Sequence, residues 1–219
     1  AHPASAWLFN VLLNKHADAM DNYPEPAVLP RAKDDQEDAK QLSSILPVVL
    51  EQNGYEQIYD TVWWHKLKTG TGVQGVFWNP RKEQGAGDVD VRPVDLLSLF
   101  WEPGIRDIQQ SREVFCLAVT PLETLRENWG EKARDVKGSV ALQPTDYRHE
   151  DNREAEDRCV VVDWYYKKTV NGRQVLHYCK YVDEVILYAS ENDPAYAERG
   201  YYDHGKYPFV LDVLFPTED

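Results

Sequence analysis

A single change of hydrophobic period near residue 70 decides the fold class of this chain. Before it, apolar residues recur at intervals of three and four, as in helices that bury one face. After it, they follow short runs of period two, as in antiparallel strands. Because strands and helices do not alternate along the chain, the pattern argues against a doubly wound sheet. It predicts an α+β fold, with N-terminal helices packed on antiparallel β-hairpins and a meander.

Three helices are predicted before the change of period. The first, over 6–20, carries one broad apolar stripe and therefore needs a partner surface. The second contains Pro47, where a kink or a break is expected, and stops at Asn53 and Gly54. The third follows a tight turn and ends at Gly70.

Strands are predicted for most of the remaining chain, with one short helix over 122–129. The strand-like runs cover 72–79, 88–94, 96–101, 114–120, 159–169, 173–181 and 184–189, and one more apolar run, 209–215, lies in the aromatic tail. Asn171 and Gly172 are the strongest hairpin signal, because a type I′ turn needs positive φ at both central residues.

The organisation predicted from these elements has four parts. They are an N-terminal helical region (1–70), a β-rich region with a short helix (71–130), a charged mobile insertion (131–157), and an antiparallel meander with an aromatic tail (158–219). The insertion is predicted because this stretch has many charges and few large apolar residues. Together the parts form one or two compact units.

Charge and cysteine content restrict the classes of function. The net charge of −13 disfavours a surface that grips DNA, because binding phosphates requires clustered cations. No apolar run approaches the length of a membrane span. Cys116, Cys159 and Cys179 lack zinc-ribbon spacing and fit a reducing compartment, and a metal site of His177 with Cys159 and Cys179 is disfavoured.

Motifs with catalytic potential all have simpler interpretations. Residues 70–75 match G-x-G-x-x-G, but a helix precedes them and a strand follows, the reverse of a dinucleotide site. A helix C-cap and close backbone approach are expected there instead. Asp88 and Asp90 could be a pair of glycosidase carboxylates, but a solvated strand edge is favoured.

The remaining polar residues suggest no reaction centre. The six histidines are scattered without a metal-binding motif; they are His2, His16, His65, His149, His177 and His204. No serine lies in a nucleophile elbow. The sequence thus predicts no enzyme: it offers no catalytic, cofactor-binding or metal-ligating residues and calls for no cofactor. The oligomer interface is unknown at this stage.

Pairs of adjacent aromatic residues are a further feature of the sequence, and none of the motifs above explains them. In Trp63-Trp64, Phe77-Trp78, Phe100-Trp101 and Trp164-Tyr165-Tyr166, neighbours point to different sides of their element. Two interpretations stay open: the rings fill a two-sided core, or half of them anchor an interface.

Three stretches resemble the portal, or head-to-tail connector, proteins of tailed bacteriophages and prophages. They are 29–53 with Leu29-Pro30-Arg31 and Asp34-Asp35, 68–80 with Lys68-Thr69-Gly70-Thr71-Gly72-Val73, and 87–112 with Phe100-Trp101-Glu102-Pro103-Gly104. The resemblance covers roughly residues 20–120 and, more loosely, Tyr207-Pro208-Phe209. It implies an N-terminal, wing-like fragment, and the start at Ala1 without an initiator methionine also suggests a piece of a longer polypeptide.

The resemblance implies a structural, non-catalytic role. The parent would form a ring of about twelve subunits at one capsid vertex, serving DNA packaging, DNA ejection and head–tail joining. Implied partners are other copies of the protein, the major capsid protein, the terminase large subunit and a head–tail adaptor. DNA would pass through the channel without sequence-specific binding, and no membrane is involved. The location is the virion, and the host bacterial cytoplasm during assembly.

Two other classes of function remain as alternatives. A carbohydrate-active enzyme or glycan-binding module would use exposed Trp and Tyr with acidic residues such as Asp88 and Asp90. A cytosolic binding module would instead keep one concave apolar pocket and stay monomeric.

Overall fold

The computed structural model describes residues 6–138 and 157–215, and the chain forms two compact units. The first unit contains the residues up to 96 and those from 208 onward; the second contains residues 97–207. Helices are followed by two antiparallel sheets, so the predicted α+β class is confirmed. Among the described residues, no helix combines the length and the apolar character needed to cross a membrane.

Three helices open the first unit: α1 (Trp7–Asp21), α2 (Gln36–Gln52) and α3 (Tyr55–Thr69). The helix α2 runs through Pro47 and does not break there. Its C-terminal end is anchored, because Asn53 Oδ1 accepts a hydrogen bond from the Val91 N–H at 3.1 Å.

The glycines of residues 70–75 act through their conformation and small size. Gly70 ends α3 in the left-handed region, with φ of 84°. A Cβ on Gly72 would lie 2.6 Å from Val62 Cγ1, so α3 can approach the strand closely only at glycine. A Cβ on Gly75 would overlap the ring of Phe77. The expected helix C-cap and close backbone approach are confirmed.

The sheet of the first unit has three strands in the order β2-β1-β8. They are β1 (Thr71–Asn79), β2 (Asp88–Val94) and β8 (Phe209–Val213). The helix α3 packs on this sheet through a small core of Ile58, Val62 and Val91.

The second unit is built on a five-stranded antiparallel sheet in the order β3-β4-β5-β6-β7. The strands are β3 (Leu99–Trp101), β4 (Glu113–Pro121), β5 (Arg158–Val170), β6 (Arg173–Val182) and β7 (Val185–Ala189). Asn171 and Gly172 join β5 to β6 with φ of 50° and 79°, so the predicted hairpin is confirmed. One face of this sheet packs on the helix α4 (Leu122–Trp129) and the residues that follow it.

Part of the predicted mobile insertion belongs to that core. Ala133 and Val136 are buried beside Leu122 and Leu125, and Arg126 donates a hydrogen bond to the Val136 carbonyl at 3.2 Å. Residues 131–138 thus contribute two small apolar side chains, three positions apart, to the core of the second unit, and the mobility of the insertion stays a prediction. Residues 139–156 of the predicted insertion lie outside the described residues.

Candidate functional site: two uncovered apolar surfaces

The two carboxylates considered for acid–base chemistry lie on β2, an edge strand. Asp90 Oδ1 lies 2.9 Å from Lys82 Nζ, and the Asp90 side chain is only 25% exposed. Asp88 Oδ1 accepts a hydrogen bond from the Val89 N–H at 2.7 Å. The expected position on a sheet edge is confirmed, but Asp90 is half-buried there, with its charge paired to Lys82.

The three cysteines are free thiols, and two of them, Cys159 and Cys179, are buried. Cys159 lies in the core beneath α4, whereas Cys179 lies opposite Trp164 in the β5–β6 register. Cys159 and Trp164 are five positions apart on β5, so the two cysteines point to opposite faces of the sheet. Within the described ranges, no three His, Cys, Asp or Glu side chains form a group that could hold a metal ion.

His177 and Ser190 form a buried pair that sequence patterns did not indicate. His177 Nδ1 lies 3.0 Å from Ser190 Oγ, which also accepts a hydrogen bond from the Tyr178 N–H at 2.9 Å. Both side chains are fully buried, so no substrate can reach the Ser190 hydroxyl. His177 Nε2 is buried without a hydrogen-bond partner among the described residues. The pair therefore fits a structural role, in which the neutral imidazole fills the core.

Protein stability is expected to decrease as the pH falls below about 6.5. Burial lowers the pKa of His177 in the folded state from its usual 6.5, against a smaller opposing effect of Glu191. The unfolded chain therefore takes up the proton first, and the contribution of neutral His177 is fully present above 6.5 and lost as the pH falls toward the folded pKa. The loss from this residue amounts to at most about 1.4 kcal/mol per pH unit.

Urea unfolding at several pH values between about 7 and 5, compared between the wild type and His177→Gln, measures this effect. The free energy of unfolding should decrease more steeply with falling pH in the wild type, since glutamine does not titrate. Parallel curves for the two proteins would contradict the prediction.

The aromatic pairs on strands alternate as predicted. Tyr165 is buried while Trp164 and Tyr166 are half-buried on the other face, and Trp78 is exposed next to a half-buried Phe77. The pair on α3 behaves differently: Trp63 and Trp64 are both half-buried, because successive helix residues are separated by about 100° and not 180°.

The first two turns of the helix α1, residues 7–13, form an uncovered apolar segment at its N-terminal end. We call this segment the apolar end of α1. Asn10 is its single polar residue. Trp7, Leu8, Phe9 and Val11 are 78%, 71%, 55% and 54% exposed. A helix that is apolar all round is normally buried, so this segment requires a covering surface. The prediction that this helix needs a partner stays a prediction, and these exposed side chains are the surface that such a partner would cover.

The C-terminal half of α1 is the part that is attached to its own unit. The His16 ring stacks on Trp64 of α3 with a centroid distance of 4.3 Å, and His16 Nε2 lies 3.0 Å from Asp60 Oδ1. These contacts hold the helix in place while its apolar end stays exposed.

A second uncovered surface lies on the five-stranded sheet, on the face opposite α4. We call it the open sheet face. Its members, assigned from the strand register, are Phe100, Phe115, Leu117, Val119, Val160, Val162, Trp164, Tyr181 and Ile186. These nine are uncharged, and Phe100, Val119 and Ile186 are 49%, 38% and 58% exposed. The same register places the charged Arg158, Lys168 and Glu113 around them, and Glu113 Oε2 accepts a hydrogen bond from Trp164 Nε1 at 3.2 Å.

The open sheet face is unusual for an antiparallel sheet. Such sheets commonly pack one face on a core and present a polar face to water. Here Phe115 and Trp164 stack nearly parallel on the open side, with planes inclined by 4° and a centroid distance of 5.9 Å. A sheet that is apolar on both faces needs a second covering layer.

The sequence carried a signal for this face that the strand prediction did not use. Residues 159–166 read Cys-Val-Val-Val-Asp-Trp-Tyr-Tyr, with Asp163 as the single polar residue. A nearly continuous apolar run is typical of a strand buried on both sides.

Two open depressions in the described parts of the chain have their acidic groups already engaged. One, along β7, contains Asp193, whose Oδ1 accepts from the Ala195 N–H and whose Oδ2 accepts from the Tyr188 hydroxyl. The other, beside Phe9, contains Asp60, which faces His16. The uncovered apolar surfaces are therefore the features that point to function.

Comparison with known proteins adds one finding. A family model described as Phage P22-like portal protein matches residues 17–206 of the chain. A search of curated proteins found no match to the chain.

Proposed function

The chain belongs to the Phage P22-like portal protein family, and we propose on that basis that it is a structural part of a portal ring at one capsid vertex. In this role it serves DNA packaging and ejection and the joining of head and tail, without catalysis. The family assignment, which spans most of the chain, is the observation that carries the proposal.

The two uncovered apolar surfaces support a subunit role. A cyclic ring is built from heterologous contacts, in which two different patches of the same chain meet around the circle. The apolar end of α1 and the open sheet face are two such different patches, and each exposes large apolar side chains. Exposed apolar patches of this kind mark interaction sites.

The net charge of −13 is compatible with a conduit for DNA. Each phosphate bound by a protein cation adds affinity, which would hinder passage of the duplex. An acidic subunit lets the backbone slide past, without sequence-specific binding. By the same proposal the ring contacts the major capsid protein, the terminase large subunit and a head–tail adaptor, and it resides in the host cytoplasm before it enters the virion.

Electron microscopy of the portal protein that carries this chain tests the proposal. Rings with a central hole wide enough for duplex DNA are expected. Uniform monomers at micromolar concentration, or a stoichiometric complex with a glycan, would contradict it and favour a binding module.

A further inference from the structure

We infer that the apolar end of α1 of one subunit packs on the open sheet face of the neighbouring subunit in the ring. This inference rests on the proposed ring function and specifies the contact that joins its subunits. The occupant of the open sheet face is thus a second copy of this chain.

Charge favours this pairing. Two copies that each carry −13 repel one another, so they approach at least cost through uncharged patches. Residues 7–13 contain no charged side chain, and the nine members of the open sheet face carry none, with Glu113 beside Trp164 at one end of them. A helix laid on a sheet is also one of the stable ways to cover an apolar sheet face.

The dimensions of the two patches agree. Seven helical residues rise by about 10 Å. On β5, Val160, Val162 and Trp164 lie on one face, and they span about 13 Å at the usual strand rise. The apolar end of α1 is therefore short enough to lie along these three residues, between Arg158 on one side and Glu113 and Lys168 on the other.

The surface area that this contact can bury is small, so other contacts between the two subunits must support it. Trp7 and Phe9, at 78% and 55% exposure, can together bury about 200–330 Å², taking roughly 150–250 Å² for a whole aromatic side chain. A stable interface buries about 800 Å² on each partner. The contact is thus one element of a larger ring interface, and the isolated chain is expected to remain monomeric.

The pairing also explains why contact leads to a ring. The two patches differ, so contact between them leaves a free helix end on one subunit and a free sheet face on the other. Each added subunit repeats the contact until the circle closes. A contact between two identical patches would stop at a dimer.

Photocrosslinking identifies the partner surface directly. Benzoylphenylalanine replaces Phe9 in rings assembled from equal amounts of isotope-labelled and unlabelled portal protein, and the crosslinked peptides are sequenced by mass spectrometry. We expect peptides from β4 or β5 that join labelled with unlabelled chains. Crosslinks confined to one chain, or crosslinks to α2 of a neighbour, would overturn the inference. The same probe at Asn14, an exposed polar residue of α1, is the matched control and should give few such crosslinks.

A charge substitution tests the energetic importance of the contact. Val11→Asp is expected to reduce the fraction of subunits in rings about tenfold or more, because an unpaired carboxylate would be buried. Asn14→Asp adds the same charge to the same helix and should leave ring assembly unchanged, and circular dichroism checks that both variants fold. If Val11→Asp assembles into rings as fully as the wild type does, the inference alone is refuted. If the wild type itself forms no rings, the proposed function is refuted.

Discussion

Phe209→Ala is expected to lower the free energy of unfolding by about 3–5 kcal/mol, as large truncations in tightly packed sites do. Phe209 is 1% exposed and lies at the start of β8, opposite Gly75 of β1. Its ring meets Phe77 edge to face, with a centroid distance of 5.8 Å. Phe77 can reach it only because Gly75 has no side chain in the way. Alanine would leave a cavity at the point where β8 joins the sheet.

Equilibrium urea unfolding of the two proteins measures this loss. Val210→Ala is the matched control, because Val210 is the next residue of β8 and its apolar side chain is 56% exposed. The control should change the free energy of unfolding by less than about 0.5 kcal/mol. Equal effects of the two substitutions would mean that Phe209 does not anchor β8.

The role of Phe209 also shows where prediction from sequence reached its limit. The three helices and the β5–β6 hairpin were predicted because their signals are local: apolar spacing in α1 to α3, and turn chemistry at Asn171 and Gly172. The pairing of β8 with β1 joins Thr71 to Val213, two residues that are separated in the sequence by all the residues of the second unit. No periodicity within one segment carries information about such a distant partner, so the run over 209–215 could be identified only as apolar.

The candidate site was predictable to a similar degree. The apolar stripe over 6–20 predicted a helix with a large apolar surface, and the structure leaves Trp7, Leu8 and Phe9 of that surface exposed. The open sheet face was not identified, because it exists only once β3 to β7 are placed side by side in register. Its strongest signal, the apolar run 159–166, cannot by itself tell which face of the strand α4 covers.

Burial of paired aromatic groups has a second consequence, at high pH. Tyr165 and Tyr178 lie side by side on β5 and β6, with ring centroids 4.8 Å apart, and they are 4% and 8% exposed. The Tyr178 hydroxyl donates a hydrogen bond of 2.5 Å to Asp163 Oδ1. Burial, with the nearby Asp163 carboxylate, raises the pKa of both tyrosines well above the usual 10. Burial thus disfavours ionisation of either ring while the sheet stays folded.

Stability is therefore expected to fall steeply above pH 10. In the unfolded chain both tyrosines lose their protons near their ordinary pKa of 10, while in the folded protein they retain them. Their contribution is fully present below pH 10 and lost as the pH rises toward the folded pKa values. Two such groups reduce the free energy of unfolding by about 2.7 kcal/mol per pH unit, at about 1.4 kcal/mol each.

Urea unfolding at several pH values between about 9 and 11 gives this slope, and tyrosinate absorbance reports which state ionises. Tyr178→Phe should have a slope smaller by about 1.4 kcal/mol per pH unit, because one of the two groups no longer titrates. The variant keeps the ion pair of Lys180 with Asp163, at 2.5 Å, so this contact is common to both proteins. Identical slopes, or tyrosinate formation before unfolding, would show that water reaches these rings in the folded sheet. The difference between the two slopes thus measures how well the tyrosine pair is sealed.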